Sequence, residues 1–146
     1  MECVFCRIIK GEIPSFKIYE DKDYLAILDI SQFTRGHTLV MPKKHERWVW
    51  EVKDGGKYFA TAQKIANYFR SLGYDFVDAM VFGWDVPHAH IHLIPHKGEA
   101  GDYQKALTGL GAMQKDASRR LTAEEGKKIA EEFKVTPRPA KAVHPS

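Results

Sequence analysis

The chain has 146 residues, of which 44% are hydrophobic and 12% are aromatic, so it is long enough to bury the core of one ordinary globular domain. Its formal net charge of +3 comes from interspersed basic and acidic residues rather than from a basic block, and a nucleic-acid partner is therefore not expected. The opening segment MECVFCRIIKGEIP has a polar residue every few positions, which predicts neither a signal peptide nor a membrane span. A cytoplasmic location without a membrane partner is the expectation.

Three short apolar runs in the first part of the chain predict strands. Residues 18–20 and 24–29 are rich in aromatic and branched side chains and are separated by the polar step 21–23, a pattern that indicates an antiparallel hairpin. Residues 38–41 form a further apolar run that stops at Pro42, because proline cannot continue the hydrogen bonding of an internal strand.

The next segment carries the clearest helical pattern of the chain. From residue 57 to residue 72 the apolar side chains recur at steps of three and four, which is the period of an amphipathic helix, and Gly73 ends it. Residues 76–82 and 88–95 then predict two more strands, joined through the turn at residues 83–85.

The chain beyond His96 has a weaker pattern. Four glycines interrupt it, at positions 98, 101, 109 and 111, and only residues 122–134 look helical, with a threonine and a glutamate spaced as a capping box. The proline-rich segment 135–146 has little to bury and is predicted to be a mobile tail. The pattern as a whole predicts a single α+β domain over residues 1–134, with a mainly antiparallel sheet, one long helix and a C-terminal helix.

Three histidines alternate along the last predicted strand. His88, His90 and His92 are separated by single residues, and since side chains on a strand alternate between faces, all three project from one side at intervals of roughly 6.6 Å. A half-exposed strand whose polar face happens to be histidine is the plain structural interpretation, but three histidines at strict alternation are hard to obtain by chance. The pattern therefore predicts a chemical site.

Two kinds of chemistry fit a row of imidazoles. A catalytic zinc site draws three ligands that converge on one point, whereas rings stepped along a strand do not converge, so no catalytic metal is expected. A neutral imidazole can instead attack phosphorus and form a phosphoramidate that water later hydrolyses. The middle ring, His90, is the natural nucleophile, because its neighbours can then contact the other phosphoryl oxygens and stabilise the developing charge.

The only two cysteines of the chain, Cys3 and Cys6, form a CxxC pair near the beginning. In a reducing compartment this spacing favours a metal clip or a redox pair over a structural disulfide. The spacing does not decide between these two interpretations.

Three segments together resemble the histidine triad (HIT) family. They are HAHIHLIP at residues 88–95, LDISQFTRGHTLVMPKKH at residues 28–45 and CVFCRIIKGEIP at residues 3–14, and they occur in the order that the family has. The resemblance implies a HIT-like fold, a homodimer, and nucleotide hydrolase or transferase activity. The implied reaction is cleavage at the α-phosphorus of a nucleoside phosphoramidate, a dinucleoside polyphosphate or an adenylate.

By the same resemblance, His90 carries a covalent nucleotidyl intermediate, while His92 and His37 help bind the phosphate and assist the leaving group. Asp29 matches the acidic residue that holds the ribose hydroxyls. The apolar pocket around a purine base is matched by Phe5, Ile13, Ile27 and Ile30.

The CxxC pair resembles that of a bacterial branch of the family that binds zinc. The residues that match its ligands are Cys3, Cys6, His45 and His88. Two thiolates and two imidazoles form a closed tetrahedral set, which suits a structural zinc that holds the N-terminal segment over the sheet. A zinc at His88 would leave His37, His90 and His92 for chemistry.

The turn before the triad departs from the family pattern. Many members have a GlyGlnxVal stretch there and an asparagine further upstream, whereas this chain has GWDV at residues 83–86 and no asparagine between residues 72 and 88. A carboxylate close to a phosphate would repel it unless something compensates. Asp85 is therefore expected to orient a histidine or to cap the turn.

Several functions share these features. Transfer of the nucleotidyl group to an acceptor other than water would use the same intermediate as hydrolysis. A nucleotide-binding or nucleic-acid-binding module with little turnover is the alternative from another class, and it is motivated by Trp84 and Asp85 at contact positions. A metal-handling protein is a third alternative, which predicts more than one bound metal ion per chain.

Overall fold

The computed structural model of the protein describes residues 3–135. The chain forms two compact units, residues 1–107 and residues 108–146, and the single domain expected over residues 1–134 stays a prediction. The segment predicted to be a tail, residues 135–146, lies outside the described residues except for Val135. No helix within residues 3–135 is both long and apolar enough to cross a bilayer.

The first unit is built on a five-stranded antiparallel sheet. Its strands are β1 (Lys17–Glu20), β2 (Tyr24–Leu28), β3 (Thr38–Pro42), β4 (Phe76–Met80) and β5 (Ile91–His96). The α-helices that begin in this unit are α1 (Val4–Ile9), α2 (Gly55–Ser71) and α3 (Gly101–Lys115), and a short 3-10 helix spans Val49–Glu51. The strands lie in the order β1-β2-β3-β5-β4, and each neighbouring pair is antiparallel. The predicted α+β class with a mainly antiparallel sheet is confirmed.

Apolar side chains cover both faces of the central strands. Ala26 and Val40 belong to a core that includes buried residues of α2, while Leu25 and Leu39 belong to a second core with Phe5 of α1. Because β2 and β3 are buried on both sides, their sequences are continuous apolar runs rather than alternating ones. The site described below lies on the face that α1 covers.

The long helix begins earlier than predicted. α2 starts at Gly55 rather than at residue 57, because the Asp54 side chain caps it by accepting a hydrogen bond from the Lys57 N–H. A carboxylate at this position satisfies a free N–H of the first turn. The helix is followed by Gly73 at φ 99°, a left-handed conformation that glycine adopts at little cost.

The prediction that glycines break up the segment after His96 is wrong, because α3 runs unbroken from Gly101 to Lys115. Each glycine in a helix interior costs about 1 kcal/mol relative to alanine, which weakens a helix without forbidding it.

The sequence also predicts no helix at α1, which is only six residues long. Here Cys3 acts as the N-cap, since its side chain accepts a hydrogen bond from the Cys6 N–H.

The strand that carries the histidines begins later than predicted. β5 starts at Ile91 rather than at residue 88, and its ladder with β3 does not reach beyond the pair Val40 and Ile91. β3 ends at Pro42, which has no N–H to donate. Ala89 nevertheless packs in the α2 core with Ile91. The other strands differ from their predicted bounds by no more than two residues at an end.

The second unit contains the end of α3, a short 3-10 helix at Ala117–Arg119, and α4 (Ala123–Phe133). Thr122 accepts a hydrogen bond from the Glu125 N–H, and the Glu125 side chain accepts one from the Thr122 N–H. This reciprocal pair is the predicted capping box, and it satisfies two of the free N–H groups at the helix start. The predicted C-terminal helix is confirmed.

Candidate active site and metal cluster

A cavity of about 670 Å³ opens on the face of the sheet that α1 covers. The residues singled out in the sequence that line it are Phe5, Ile13, Ile27, Asp29, Ile30, His90 and His92. His37, by contrast, is fully buried and does not line the wall. A largely apolar cavity with a few converging polar groups is the usual form of a small-molecule site.

Within residues 3–135, one ring nitrogen of His90, Nε2, makes no hydrogen bond and faces a possible ligand. Its Nδ1 lies 2.7 Å from the carbonyl oxygen of His88, and since a carbonyl oxygen only accepts, Nδ1 carries the proton and donates it to this bond. The lone pair of the neutral ring therefore resides on Nε2. Phe5 packs edge-on against the His90 ring at a centroid distance of 5.0 Å, which holds the imidazole in place beside the apolar part of the cavity.

His37 and His92 form a hydrogen-bonded pair beside the His90 ring. The Phe33 backbone N–H donates to His37 Nδ1 at 3.1 Å, and the Ser31 carbonyl oxygen lies 3.2 Å from the same atom. Because the shorter Phe33 bond needs the lone pair of Nδ1, the proton of the neutral His37 ring lies on Nε2, which donates to His92 Nδ1 at 2.9 Å. His92 is left with Nε2–H as a donor. Burial, with smaller effects of His90 and His37, lowers the pKa of His92 to about 4, and burial also lowers the pKa of His37. Both rings are therefore neutral at neutral pH in the free protein.

Asp29 sits at the end of β2, between the cavity and the buried pair. Its Oδ1 accepts a hydrogen bond from the Ser31 N–H at 2.8 Å, and its Oδ2 lies 3.6 Å from His37 Nε2. The side chain therefore both closes the turn after the strand and presents a carboxylate at the cavity wall. An ionised carboxylate can accept hydrogen bonds from two vicinal hydroxyls at once.

Asp29, His37 and His92 also place three donor atoms within 4.8 Å of one another. The His37–His92 hydrogen bond at 2.9 Å already uses one nitrogen of each ring. A metal ion here would have to break that bond and compete with the proton on His37. These residues are consequently better described as a hydrogen-bond relay than as a metal site.

The apolar wall is formed partly by residues that the sequence did not single out. Ile13 and Ile27, which the sequence matched to an apolar pocket, line the cavity wall, whereas Ile30 is 88% exposed and lies at the rim. Phe33 and Phe82 were missed although both line the cavity. Phe33 lies four residues before His37, within the segment that carries the family resemblance, whereas nothing in the sequence around Phe82 indicates its place.

Four side chains from distant parts of the chain converge on a second cluster, which could hold a metal ion. Cys6 Sγ lies 3.2 Å and Cys3 Sγ 3.5 Å from His45 Nδ1, and the corresponding distances to His88 Nδ1 are 3.5 and 3.4 Å. The Nδ1 atoms of His45 and His88 are 3.2 Å apart. The residues matched to zinc ligands in the sequence are thus brought together.

His88 connects this cluster to the cavity. Its Nε2 lies 2.7 Å from the Pro42 carbonyl oxygen, so Nε2 carries the proton and the Nδ1 lone pair faces the two cysteines. Burial lowers the pKa of His88 and keeps its ring neutral. A hydrogen bond from the far ring nitrogen to a backbone carbonyl sets the tautomer that a metal-binding histidine needs. The same residue supplies the carbonyl that orients His90.

The turn that departs from the family pattern lies at the cavity wall. Trp84 and Asp85 both line the cavity. The Asp85 carboxylate makes no hydrogen bond or ion pair within residues 3–135, so it neither orients a histidine nor caps the turn there. The expectation of such a role is not met among the described residues.

Comparison with known proteins establishes the family. The HIT domain model matches residues 10–99, more than half of the chain. The protein named "Protein hit" from Bacillus subtilis is 44% identical over 121 residues, covering 77% of this chain and 79% of that protein. A crystal structure of a HIT family member from Bacillus subtilis has a TM-score of 0.76 at 36% identity and covers 97% of this chain and 100% of that chain. The chain belongs to the HIT domain family.

Two other relatives bear on the chemistry of the site. Adenosine 5'-monophosphoramidase HNT1 of Saccharomyces cerevisiae is 36% identical over 103 residues, covering 66% of this chain and 64% of that protein. A Zn-bound histidine triad family protein from Mycobacterium smegmatis has a TM-score of 0.57 at 30% identity, and the match covers 77% of this chain and 98% of that chain.

Proposed function

We propose that this protein is a nucleotide hydrolase that cleaves adenosine phosphoramidates and related nucleotides at the α-phosphorus, through a covalent nucleotidyl intermediate on His90. The observation that carries the proposal is the His90 tautomer. Its proton is held on Nδ1 by the His88 carbonyl oxygen at 2.7 Å, so the lone pair of Nε2 is available for attack. A relative with the name of an adenosine monophosphoramidase supports the substrate class.

The first step forms a bond between His90 Nε2 and the α-phosphorus while the bond from phosphorus to the leaving group breaks. The leaving group takes a proton from His92, which lies beside His90 at a ring-centroid distance of 5.0 Å. Although burial lowers the pKa of His92 in the free protein, the negative phosphoryl group raises it when substrate binds. The Asp29 carboxylate, which lies 3.6 Å from His37 Nε2 on the far side of the pair, favours the charged form of His92.

In the second step water attacks the same phosphorus and the His90–phosphorus bond breaks. The electron pair of that bond returns to Nε2, and a proton of the water molecule passes to His92. The products are the nucleoside monophosphate and the protonated leaving group, and both histidines regain their starting states. Splitting one displacement into two lowers the barrier of each.

We propose that the nucleoside binds on the α1 side of His90. Phe5, Ile13 and Ile27 supply flat apolar contacts for a purine base at this wall, and Asp29 accepts hydrogen bonds from the ribose hydroxyls. Transfer of the nucleotidyl group to another acceptor would proceed through the same intermediate. Product analysis in the presence of candidate amines and phosphates separates transfer from hydrolysis.

A single-turnover experiment tests the proposal. Excess wild-type protein is mixed with a fluorogenic adenosine phosphoramidate and quenched at intervals, and the protein is analysed by mass spectrometry. We expect a transient AMP adduct that proteolysis locates on His90, followed by free AMP. If the protein binds AMP but forms no adduct and releases no product, it is a nucleotide-binding module rather than a hydrolase.

Asp29→Asn is expected to weaken the selection of ribose. The amide keeps an oxygen for the Ser31 N–H but loses the charge that strengthens hydrogen bonds to hydroxyls. For a ribonucleoside phosphoramidate kcat/KM should fall about tenfold, and for the 2',3'-dideoxy analogue it should change much less. Steady-state kinetics on both substrates measure this difference, and equal losses on both would contradict the ribose role.

We propose that the Cys3, Cys6, His45 and His88 cluster binds a structural zinc ion. A tetrahedral zinc ion has N···N edges of about 3.3 Å and N···S edges of about 3.5 Å, from bond lengths of about 2.0 and 2.3 Å. The cluster has 3.2 Å for the first and 3.2–3.5 Å for the second. Donors packed this way fit a tetrahedral ion better than a redox pair, and a Zn-bound relative supports the identity of the metal.

We also propose that the protein is a cytoplasmic homodimer. β4 lies at the edge of the sheet, and exposed apolar side chains lie on β4 and on α2, which contacts it: Phe76 on β4 and Phe59, Tyr68 and Leu72 along α2 and at its C-terminus. An unpaired edge strand next to exposed apolar groups favours pairing with a second copy. Sedimentation equilibrium is expected to give twice the mass of the chain, and a monomer at micromolar concentration would contradict this.

A further inference from the structure

Tyr103 of α3 lies on the same face of the sheet as the His37–His92 pair. Its side chain is buried, and its hydroxyl donates a hydrogen bond to Asp78 Oδ2 at 2.7 Å. Asp78 stands opposite Ile94 in the β4–β5 ladder, and Ile94 shares a face with His92 because it is two positions further along the same strand. Tyr103 therefore packs on the His92 face, although it does not line the cavity itself.

The hydroxyl of Tyr103 anchors the start of α3 to β4. Burial and the hydrogen bond to Asp78 raise the pKa of Tyr103, so the hydroxyl keeps its proton at neutral pH and remains a donor. His96 Nε2 lies 3.1 Å from the same carboxylate oxygen. The Tyr103 ring is thus held both by its burial and by a direct bond to the sheet.

Phe33 connects Tyr103 to the histidine pair. Its ring lies nearly parallel to that of Tyr103, at 17° and a centroid distance of 6.0 Å, and nearly parallel to that of His92, at 5° and 6.3 Å. The distance from Phe33 to the His37 ring is 4.5 Å. All three separations are in the range of attractive ring pairs. Phe33 therefore contacts both imidazoles of the pair and the anchored tyrosine.

The backbone and the side chain of Phe33 are held by different groups. Its backbone N–H donates to His37 Nδ1, and the next residue, Thr34, donates its hydroxyl to the Pro95 carbonyl oxygen at 2.7 Å. The Phe33 side chain is 46% exposed, and within residues 3–135 Tyr103 is the only ring that it contacts besides the two imidazoles. Loss of the Tyr103 ring would consequently free the Phe33 side chain while the loop stays bonded in place.

We propose that Tyr103 is a positioning residue for proton transfer by His92 and that it acts through the Phe33 ring. The proposal rests on the hydrolase function proposed above and adds a residue to its machinery. When the bond from phosphorus to the leaving group breaks, the electron pair goes to the leaving atom and His92 supplies the proton. A side chain that transfers a proton needs packed neighbours that keep its orientation. Phe33, fixed by Tyr103, is such a neighbour of His92.

The test compares a leaving group that needs a proton with one that does not. The first probe is the adenosine 5'-phosphoramidate of hexylamine, whose nitrogen must be protonated as it departs. The second is the 4-nitrophenyl ester of AMP, whose phenolate leaves as a stable anion. Proton donation accelerates the first reaction and contributes little to the second. The measured quantity is the ratio of kcat/KM for the amine compound to kcat/KM for the ester.

The variants are Tyr103→Leu, Tyr103→Phe and Phe33→Leu, with Phe69→Leu as the matched control. Phe69 is also a buried aromatic residue, but it packs in the α2 core on the opposite face of the sheet. We expect Tyr103→Leu and Phe33→Leu each to lower the ratio about tenfold, which is part of what a general acid supplies. Tyr103→Phe keeps the ring and should hold the ratio within about twofold of the wild type. Phe69→Leu should leave the ratio unchanged even where it lowers the Tm.

The double variant with leucine at both positions shows whether Tyr103 acts through Phe33. If it does, the double variant has the ratio of Phe33→Leu alone, because the second substitution removes nothing further. Effects of the two single variants that multiply would overturn the route through Phe33. Phe33 is half exposed, so Phe33→Leu is expected to fold even if Tyr103→Leu does not. Because the readout is a ratio, an unfolded fraction of a sample does not change it.

Equal losses on both probes in Tyr103→Leu and Phe33→Leu would overturn the positioning role, since a packing defect lowers both rates alike. Turnover by the wild type distinguishes this result from failure of the proposed function. If the wild type hydrolyses both probes while the ratio is insensitive to residues 33 and 103, only the positioning role is wrong. If the wild type neither hydrolyses them nor forms the AMP adduct, both proposals are wrong.

Discussion

His90→Ala is expected to lower the hydrolysis of an adenosine phosphoramidate by about 10⁴-fold or more and to abolish the covalent AMP adduct. Removal of a nucleophile stops the covalent route, so the remaining rate comes from binding and from the other polar groups of the site. Burst kinetics and mass spectrometry measure both effects. Free imidazole should restore part of the turnover in the variant, because the truncated side chain leaves room for it beside Phe5.

A matched histidine variant serves as the control for this prediction. His96→Gln changes an imidazole that pairs with Asp78 at 3.1 Å and that does not line the active-site cavity. It should keep turnover and the adduct close to wild-type levels. An adduct that persists in His90→Ala would show that another residue is the nucleophile, and the assignment of His90 would then be wrong.

Cys6→Ser is expected to remove the bound zinc ion and to lower the free energy of unfolding by on the order of 5 kcal/mol. Structural zinc binding contributes its free energy directly to folding, and a zinc ion in the proposed cluster would join α1 to His45 and His88. Elemental analysis should give one zinc ion per wild-type chain and almost none in the variant. Denaturant unfolding with and without a chelator should show the same loss in the wild type.

The same variant is expected to reduce turnover although it touches no substrate. The His88 carbonyl oxygen accepts a hydrogen bond from His90 Nδ1 at 2.7 Å, while the His88 ring belongs to the cluster. Release of the His88 ring loosens the group that sets the His90 tautomer, and kcat should fall about tenfold. Lys44→Ala, at an exposed lysine paired with Glu46 next to the cluster, should leave zinc content and turnover unchanged. Wild-type protein purified without zinc and with full stability would contradict the proposal.

Local sequence patterns were sufficient to predict the strands, α2 and α4. The strands are short apolar runs bounded by polar residues, glycine or proline, the apolar residues of α2 recur at the helical period, and Thr122 with Glu125 is a local cap that any helix could use. α1 and α3 were not predictable in this way. α1 is only six residues long and is capped by Cys3, and α3 keeps its helix through Gly109 and Gly111, where propensity alone favours an interruption.

Some features of the candidate site are likewise predictable from the sequence, whereas others are not. The alternation of His88, His90 and His92 is a local property of an extended segment, so the sequence alone indicates that these rings share a face and that the middle one is placed to attack. The resemblance to a family adds the partners of these histidines. The tautomers, by contrast, depend on carbonyl groups such as that of Pro42, which sequence spacing cannot place.

The contacts between distant segments follow only from packing of the sheet. Cys6 and His45 are 39 positions apart in the chain, yet their side chains lie 3.2 Å apart. Phe82 meets His92 because β4 pairs with β5, with Met80 opposite His92. The periodicity of apolar residues shows which face of its own helix or strand a residue occupies. Contacts between distant segments depend instead on the order and register of the strands, and the burial of many side chains together determines both. The sequence by itself therefore predicted the type of chemistry proposed for the site, whereas the geometry of the candidate metal cluster and the contact of Phe82 with His92 follow only from the three-dimensional arrangement.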